Sequence, residues 1–548
     1  GTTKFTPTKE SGTAQVQFEF DSTSLGGKKL VAFESLYYKD ALIAEHNDPT
    51  DAKQAVQIPK IGTTLISNDT NDHVSGTGGK VILTDSVKYE NLLPGLDYTL
   101  NGKLVNKKTG EEILGADKKP VTSETNFTAS ESSGEIEMTF NLNASDLTGA
   151  TVVAYEDLSF NGKTIVSHAD VNDESQSVHI PEIKTSAVDK DTKTKVSKLD
   201  KKATIVDTVF YANLVPGKKY TLKGTLMDKA SGKALTESGS RFEESLTCQF
   251  TAGIYAAIMK GNTMDIYVLE DSKYVNVSDN TDMLGKLPTE AFKFKVETDG
   301  TYIIGKTAGG SYELAPEEEL NAESHPITTY LAFTPEKASG KIDLEFTADT
   351  TLLAGKTTVV FEDLYFGDVK IGAHSDLKDA AQSVYTPAIT TTATVKDSDS
   401  HEAAAIQDIT ITDAVAYSNL VPGIEYTLKG KLMDKTTGEI LKIDEKDITA
   451  VQKFTPTEDS GKVMLEFKFD GSNLANKELV AFEDLYSDDV LIGTHSDIND
   501  ADQTVKVVKE NEIVQTNDNF NVKLLIIGGV TAVLLFGIGI ILMRKKRK

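Results

Sequence analysis

Four residue types recur along this chain at one fixed spacing: a Glu, a His twelve residues later, an Asp five beyond it and a Gln three further on. The copies are Glu34, His46, Asp51 and Gln54; Glu156, His168, Asp173 and Gln176; Glu362, His374, Asp379 and Gln382; and Glu483, His495, Asp500 and Gln503. Two carboxyl groups held close together cannot both ionise easily, so one keeps a proton at neutral pH. A protonated acid beside the Gln carboxamide polarises its carbonyl, and a neutral imidazole can take the proton of an incoming hydroxyl. The set lacks a nucleophile of its own. Candidates stand four residues after Pro59, Pro181 and Pro387, at Thr63, Thr185 and Thr391, with the hydroxyl-bearing Thr64, Ser186 and Thr392 one place further on.

The elements that must position these groups read as strands. Segments such as KVMLEFKFD, KELVAFEDLY and DVLIGTHSD alternate apolar and polar residues and are separated by Gly, Asn and Asp turns. VAFEDLYSDDVLIGTHSD is a hairpin with Asp488 and Asp489 near its tip, and its counterpart turns on Asn161-Gly162. Glu and His are then near cross-strand partners on one face. The Gln positions lie 122, 206 and 121 residues apart, so the long interval carries an insertion. A second landmark, YENLLPGLDYTLNGKL, YANLVPGKKYTLKGTL and YSNLVPGIEYTLKGKL, divides each repeat at a Pro-Gly turn and places the insertion at about 238–326. The expected fold class is all-β: tandem antiparallel sandwiches joined end to end in a rod. Expected boundaries are 1–56 for a partial unit, then 57–178, 179–384 and 385–507. GTTKFTPTKESG matches QKFTPTEDSG near residue 460, so the chain is expected to open partway through a repeat.

Composition narrows the function classes. With 83 acidic against 57 basic residues the net charge is −26, and apart from the last five positions there is no basic cluster to follow a phosphate backbone. Nucleic acid is an unsuitable partner. The lone Cys248 excludes a disulfide within the chain and reads as a small apolar residue. No G-x-S-x-G elbow and no metal-ligand cluster accompanies the quartets, so neither cofactor nor metal is expected. A hydrolase-like use of Glu, His and Asp would leave the Gln idle at its fixed offset.

At the carboxyl end, a polar linker at 508–523 precedes LLIIGGVTAVLLFGIGIILM, residues 524–543, which as a helix of about 30 Å is long enough to cross a bilayer. The basic tail 544–548 is then expected in the cytoplasm and the repeats outside.

VAFED, the Glu-His-Asp-Gln spacing, the early Thr and the terminal span together resemble the repeating stalk domains of Gram-positive surface adhesins, the VaFE or Thr–Gln ester-bond domains. The resemblance covers nearly the whole chain except the insertion. It implies Ig-like (CnaB-like) sandwiches in which a Thr hydroxyl attacks a Gln side chain, releasing ammonia. Carried over, the cross-links are Thr63–Gln176, Thr185–Gln382 and Thr391–Gln503. His168, His374 and His495 assist proton transfer, and Glu156/Asp173, Glu362/Asp379 and Glu483/Asp500 are the supporting acid pairs. Gln54, His46, Asp51 and Glu34 belong to a unit whose Thr is not in this sequence. IVQTND, residues 513–518, resembles a variant sortase signal, which implies cleavage between Thr516 and Asn517 and attachment to peptidoglycan. The implied location is the cell wall, with a host or surface ligand held upstream or by the insertion. Related sandwiches use Lys–Asn isopeptide bonds instead, and Lys184 and Lys190 lie near one joint.

Overall fold

A computed structural model describes residues 1–238, 242–260, 263–270, 273–278, 291–296, 298–307, 312–316 and 324–510. Among them no helix is long and apolar enough to cross a membrane. The span expected at 524–543, the sorting-like motif with Thr516 and Asn517, and the basic tail lie outside the described residues.

The second repeat shows how the alternation is used. Its strands are β1 (Lys60–Ser67), β2 (Lys80–Glu90), β3 (Asp97–Asn106), β4 (Thr122–Thr128), β5 (Gly134–Asn143), β6 (Thr151–Phe160), β7 (Lys163–His168) and β8 (Ser177–His179). All pairings among them are antiparallel. One sheet has the order β1-β2-β5, and the other β7-β6-β3-β4 with β8 also on β6. Successive side chains point to opposite faces, so β1 turns Ile61, Thr63, Leu65 and Ser67 inward. β2 does the same with Val81, Leu83, Asp85, Val87 and Tyr89. Leu100, Leu104, Met138, Phe140, Val152, Ala154 and Leu158 complete the core between the sheets. Polar residues in these inward slots are conspicuous because everything around them is hydrocarbon.

The β6–β7 hairpin sets the register of the site. Asn161 and Gly162 both take positive φ, 50° and 71°, the conformation that a two-residue hairpin turn requires. A bulge at Leu158/Ser159 then adds one residue to the return strand, so that Glu156 faces His168 directly. Without the bulge Glu156 would face Ser167, and the imidazole would point to the other side of the sheet.

The third repeat has the same two sheets, built around Glu182–Asp189 and Ala203–Ala212 on one side and Tyr220–Asp228 and Thr357–Phe366 on the other. Its insertion folds separately as Phe242–Phe250, Gly300–Thr307 and Tyr312–Pro316 in one sheet and Gly253–Lys260, Thr263–Glu270, Lys273–Asn276 and Phe292–Val296 in another. Phe250, Tyr255 and Phe294 centre its small core, with Cys248 half-buried against them. In the opening repeat Lys29–Val31 pairs with Ala55–Gln57, and Glu34–Tyr38 with Ala41–His46. Contacts divide the chain into two compact units, Gly1–Ala388 with Asn419–Val421, and Ile389–Ser418 with the chain from Pro422 onward. The second unit is the last repeat, with sheets around Ala388–Val395, Ile409–Ser418 and Gly461–Phe469, and around Tyr426–Asp434, Glu478–Ser487 and Thr504–Val508.

Candidate functional site

Each complete repeat gathers its polar set between the two sheets. In the last repeat Gln503, fully buried, donates through Nε2 to Thr391 Oγ1 at 2.6 Å and to Glu483 Oε2 at 2.7 Å. Thr391 and Gln503 are 112 positions apart. In the second repeat Gln176 Nε2 donates to Glu156 Oε2 at 2.7 Å and to the Ala154 carbonyl at 2.9 Å. In the third, Gln382 Nε2 donates to Glu362 Oε2 at 2.6 Å. Strand alternation removes the one-residue ambiguity in the hydroxyl. Thr63, Thr185 and Thr391 are buried, whereas Thr64 and Thr392 are exposed and Ser186 is half-buried on the outer face.

The acid pairing differs from the expected one. The carboxyl group beside Glu156 belongs to Asp85, not Asp173; beside Glu362 it is Asp207, not Asp379; beside Glu483 it is Asp413, not Asp500. All three aspartates are fully buried on the strand paired with the Thr strand. Asp85 comes from β2 and Glu156 from β6, so the pair bridges the two sheets. Glu156 Oε1 has no donor partner among the described residues, and Glu362 Oε1 and Glu483 Oε1 match it. Two anionic carboxylates facing each other in an apolar core would be prohibitively costly, so one proton must lie between them. Burial, then the neighbouring Asp413 charge, pushes Glu483 up to about 10, while burial lifts Asp413 to about 6. Glu156 rises to about 10 and Glu362 to about 11 for the same reasons. The Thr hydroxyl lies against both carboxyls of its pair.

Asp173, Asp379 and Asp500 do another job. Each accepts from the His of its quartet, at 3.2 Å to His168 and 2.9 Å to His374 and His495. Each also caps the short turn that delivers Gln, accepting the backbone N–H two residues on, from Ser175, Ala381 and Asp502. The other oxygen thus locks the imidazole while the first locks the turn. Those bonds hold the Asp173 and Asp379 carboxyls below the usual carboxylate range, led by the Ser175 hydroxyl in one and His374 in the other. In the opening repeat Gln54 donates to Glu34, and His46 lies 3.1 Å from Asp51, so the Gln–Glu and His–Asp contacts recur there.

The missed aspartates had a signal. Asp85, Asp207 and Asp413 each stand 22 residues after the candidate Thr, in TDSV, VDTV and TDAV, at an inward slot of an alternating strand. The lysines considered for isopeptide bonds face outward: Lys184 pairs with Glu182 and Lys190 with Glu345, both at 2.8 Å.

The T-Q ester bond containing domain family matches residues 1–58, 59–180, 181–282, 311–386 and 387–507. No curated protein matches the chain. Among solved structures, similarity extends to a Mobiluncus mulieris adhesin containing intramolecular disulfide, isopeptide and ester bond cross-links, at 13% identity over 62% of this chain and 89% of that one, TM-score 0.22. It also extends to the C-terminal domain of the Streptococcus agalactiae AgI/II polypeptide BspA, at 10% identity over 57% and 98%, TM-score 0.23.

Proposed function

The chain belongs to the T-Q ester bond containing domain family, and from that premise we propose that it is the stalk of a bacterial surface adhesin whose complete repeats each weld their first strand to their last by an ester. The observation that carries this reading is the contact of Gln503 Nε2 with Thr391 Oγ1 beside the buried Asp413–Glu483 pair. The Thr Oγ attacks the Gln side-chain carbonyl carbon, the C–N bond breaks, and the nitrogen leaves as ammonia with the hydroxyl proton. The acid pair is placed to relay that proton, since it touches the hydroxyl on one side and Glu483 accepts from the leaving nitrogen on the other. The His–Asp pair positions the Gln turn and sets the local charge. Every site reacts once, on itself, so this is cross-linking without turnover.

We place the protein at the cell surface. In this reading residues 524–543 hold it in the membrane until a sortase cuts between Thr516 and Asn517 and joins Thr516 to peptidoglycan. The ligand is bound by an upstream region or by the insertion.

Intact mass of the chain tests the cross-links. The expected mass is three ammonias below that of the sequence, Thr391→Ala raises it by one ammonia beyond the substitution itself, and hydroxylamine opens the remaining bonds. A mass equal to the full amide form sinks the proposal.

A further inference from the structure

One residue of the landmark Tyr-x-Asn-Leu takes no part in the site, yet its geometry repeats at each joint. Asn91, Asn213 and Asn419 all adopt positive φ, 67°, 61° and 60°, a conformation Asn tolerates better than other side chains. The Leu that follows each is buried. In every case the Asn amide reaches back into the preceding repeat and donates to two backbone carbonyls. Asn91 donates to Lys28 at 2.8 Å and Ile58 at 3.0 Å; Asn213 to Ala150 at 2.7 Å and Ile180 at 3.0 Å; Asn419, within the first compact unit, to Lys356 at 2.7 Å and Thr386 at 3.0 Å. Those carbonyls already accept from backbone, Ile180 from Gly149 and Ala150 from Ile180, with the same pairs at the other joints. A single NH₂ group thus uses both hydrogens to tie down a two-strand corner. Thr151 Oγ1 donates to Asn213 Oδ1 at 2.8 Å and fixes the amide's orientation.

The joint at Asn213 carries further support. Val74 of the second repeat is fully buried in the core of the third, Asp72 pairs with Lys218 at 2.5 Å, and the Thr77 N–H donates to the Ile371 carbonyl at 3.0 Å.

We propose that Asn91 and Asn213 are the residues by which the second and third repeats each dock on the end of the preceding repeat, fixing the angle of the joint. The position of the accepted carbonyls explains why this matters. Ile58, Ile180 and Thr386 immediately precede Pro59, Pro181 and Pro387, and lie between a Gln and the next Thr nine residues on. If the esters form, the nine-residue stretches Gln176–Thr185 and Gln382–Thr391 carry tension from one cross-linked loop to the next through backbone alone. That last step rests on the proposed esters; the docking does not.

The test uses the whole chain. Asn213→Gly keeps a backbone free to hold positive φ but deletes the bridging amide. Hydrogen exchange at the Ile180 and Gly149 amides is expected to quicken roughly 5- to 30-fold, the loss of one or two ordinary hydrogen bonds. Spin labels at Glu131→Cys and Lys337→Cys, in a Cys248→Ser background, should give a broader distance distribution. Exchange at Leu100 and Leu222, in the flanking cores, should stay unchanged, and Asn161→Gly, at an exposed hairpin turn, should alter nothing. Unchanged joint exchange and an unchanged distribution overturn the proposal. So does an equal rise at Leu100 and Leu222, which would make Asn213 a general fold residue. The intact mass of the same samples reports the esters separately, so the two ideas fail independently.

Discussion

At the scale of single residues, the proposed reaction depends on a proton that two buried carboxyls must share. Replacing Asp413 by Asn removes the acceptor for the Thr391 proton while keeping the shape. The third ammonia loss should slow by about 10²–10⁴-fold, the usual reach of a positioned acid or base, as followed by time-resolved intact mass. The pair also has a stability signature once the ester is blocked. In Thr391→Ala the unfolded Glu483 titrates near its ordinary 4.5, whereas the folded one holds its proton to about 10. Between those values the native state binds the extra proton, so stability is greatest below the lower value and falls as pH rises. The melting temperature of the last repeat in Thr391→Ala should therefore drop from about pH 5 to about pH 10, and adding Glu483→Gln should flatten the profile. A flat profile in Thr391→Ala alone would contradict a shared proton.

At the scale of elements, the strand opposite the reactive Glu carries a glycine at the facing position: Gly102 to Glu156, Gly224 to Glu362 and Gly430 to Glu483. Space explains it. A Cβ on Gly430 would come within 2.7 Å of Phe467 Cζ and 2.8 Å of Leu465 Cδ1, and Phe467 is fully buried across the sandwich. The glycine makes room for that ring on the strand facing Glu483, and we infer that the ring shields the acid pair from water. Gly430→Ala should cost about 1–3 kcal/mol by overpacking, measured by denaturant unfolding in the Thr391→Ala background. It should also slow ester formation in the otherwise native chain. Loss of stability with an unchanged rate of condensation would separate packing from chemistry and refute the sealing role.

At the scale of the whole molecule, the proposed ester between Thr391 and Gln503, 112 positions apart, would remove that loop from the length a pulling force can release. The withheld length is about 370–400 Å at full extension in the last repeat, nearly the same in the second, and greater in the third, whose loop includes the insertion. Single-molecule stretching of the chain should lack steps of that size from the cross-linked loops, and Thr391→Ala should restore one. At equilibrium the loop-entropy model puts such a closure at about 4.7 kcal/mol. An equal number of long steps in both chains would remove the mechanical argument.

Alternation along each strand, the Pro-Gly and Asn-Gly turns, the four quartets and the early Thr are local or periodic features, so the amino-acid order alone determined the β architecture and most of the groups gathered at the candidate site. Even the facing of Glu156 and His168 follows from one hairpin. The Asp85–Glu156 pair does not, because its members are 71 positions apart on different sheets. An inward Asp in a strand says only that something must satisfy it; which group does so depends on how two sheets stack, and that is set by the packing of every apolar residue between them. Asp173 was the nearer acid in the chain and took the His instead, because the turn it caps lies beyond the hairpin edge. The same distance hid the role of Asn213, whose acceptors belong to the repeat before its own. Tertiary structure alone decided which carboxyls share a proton and which amide holds a joint.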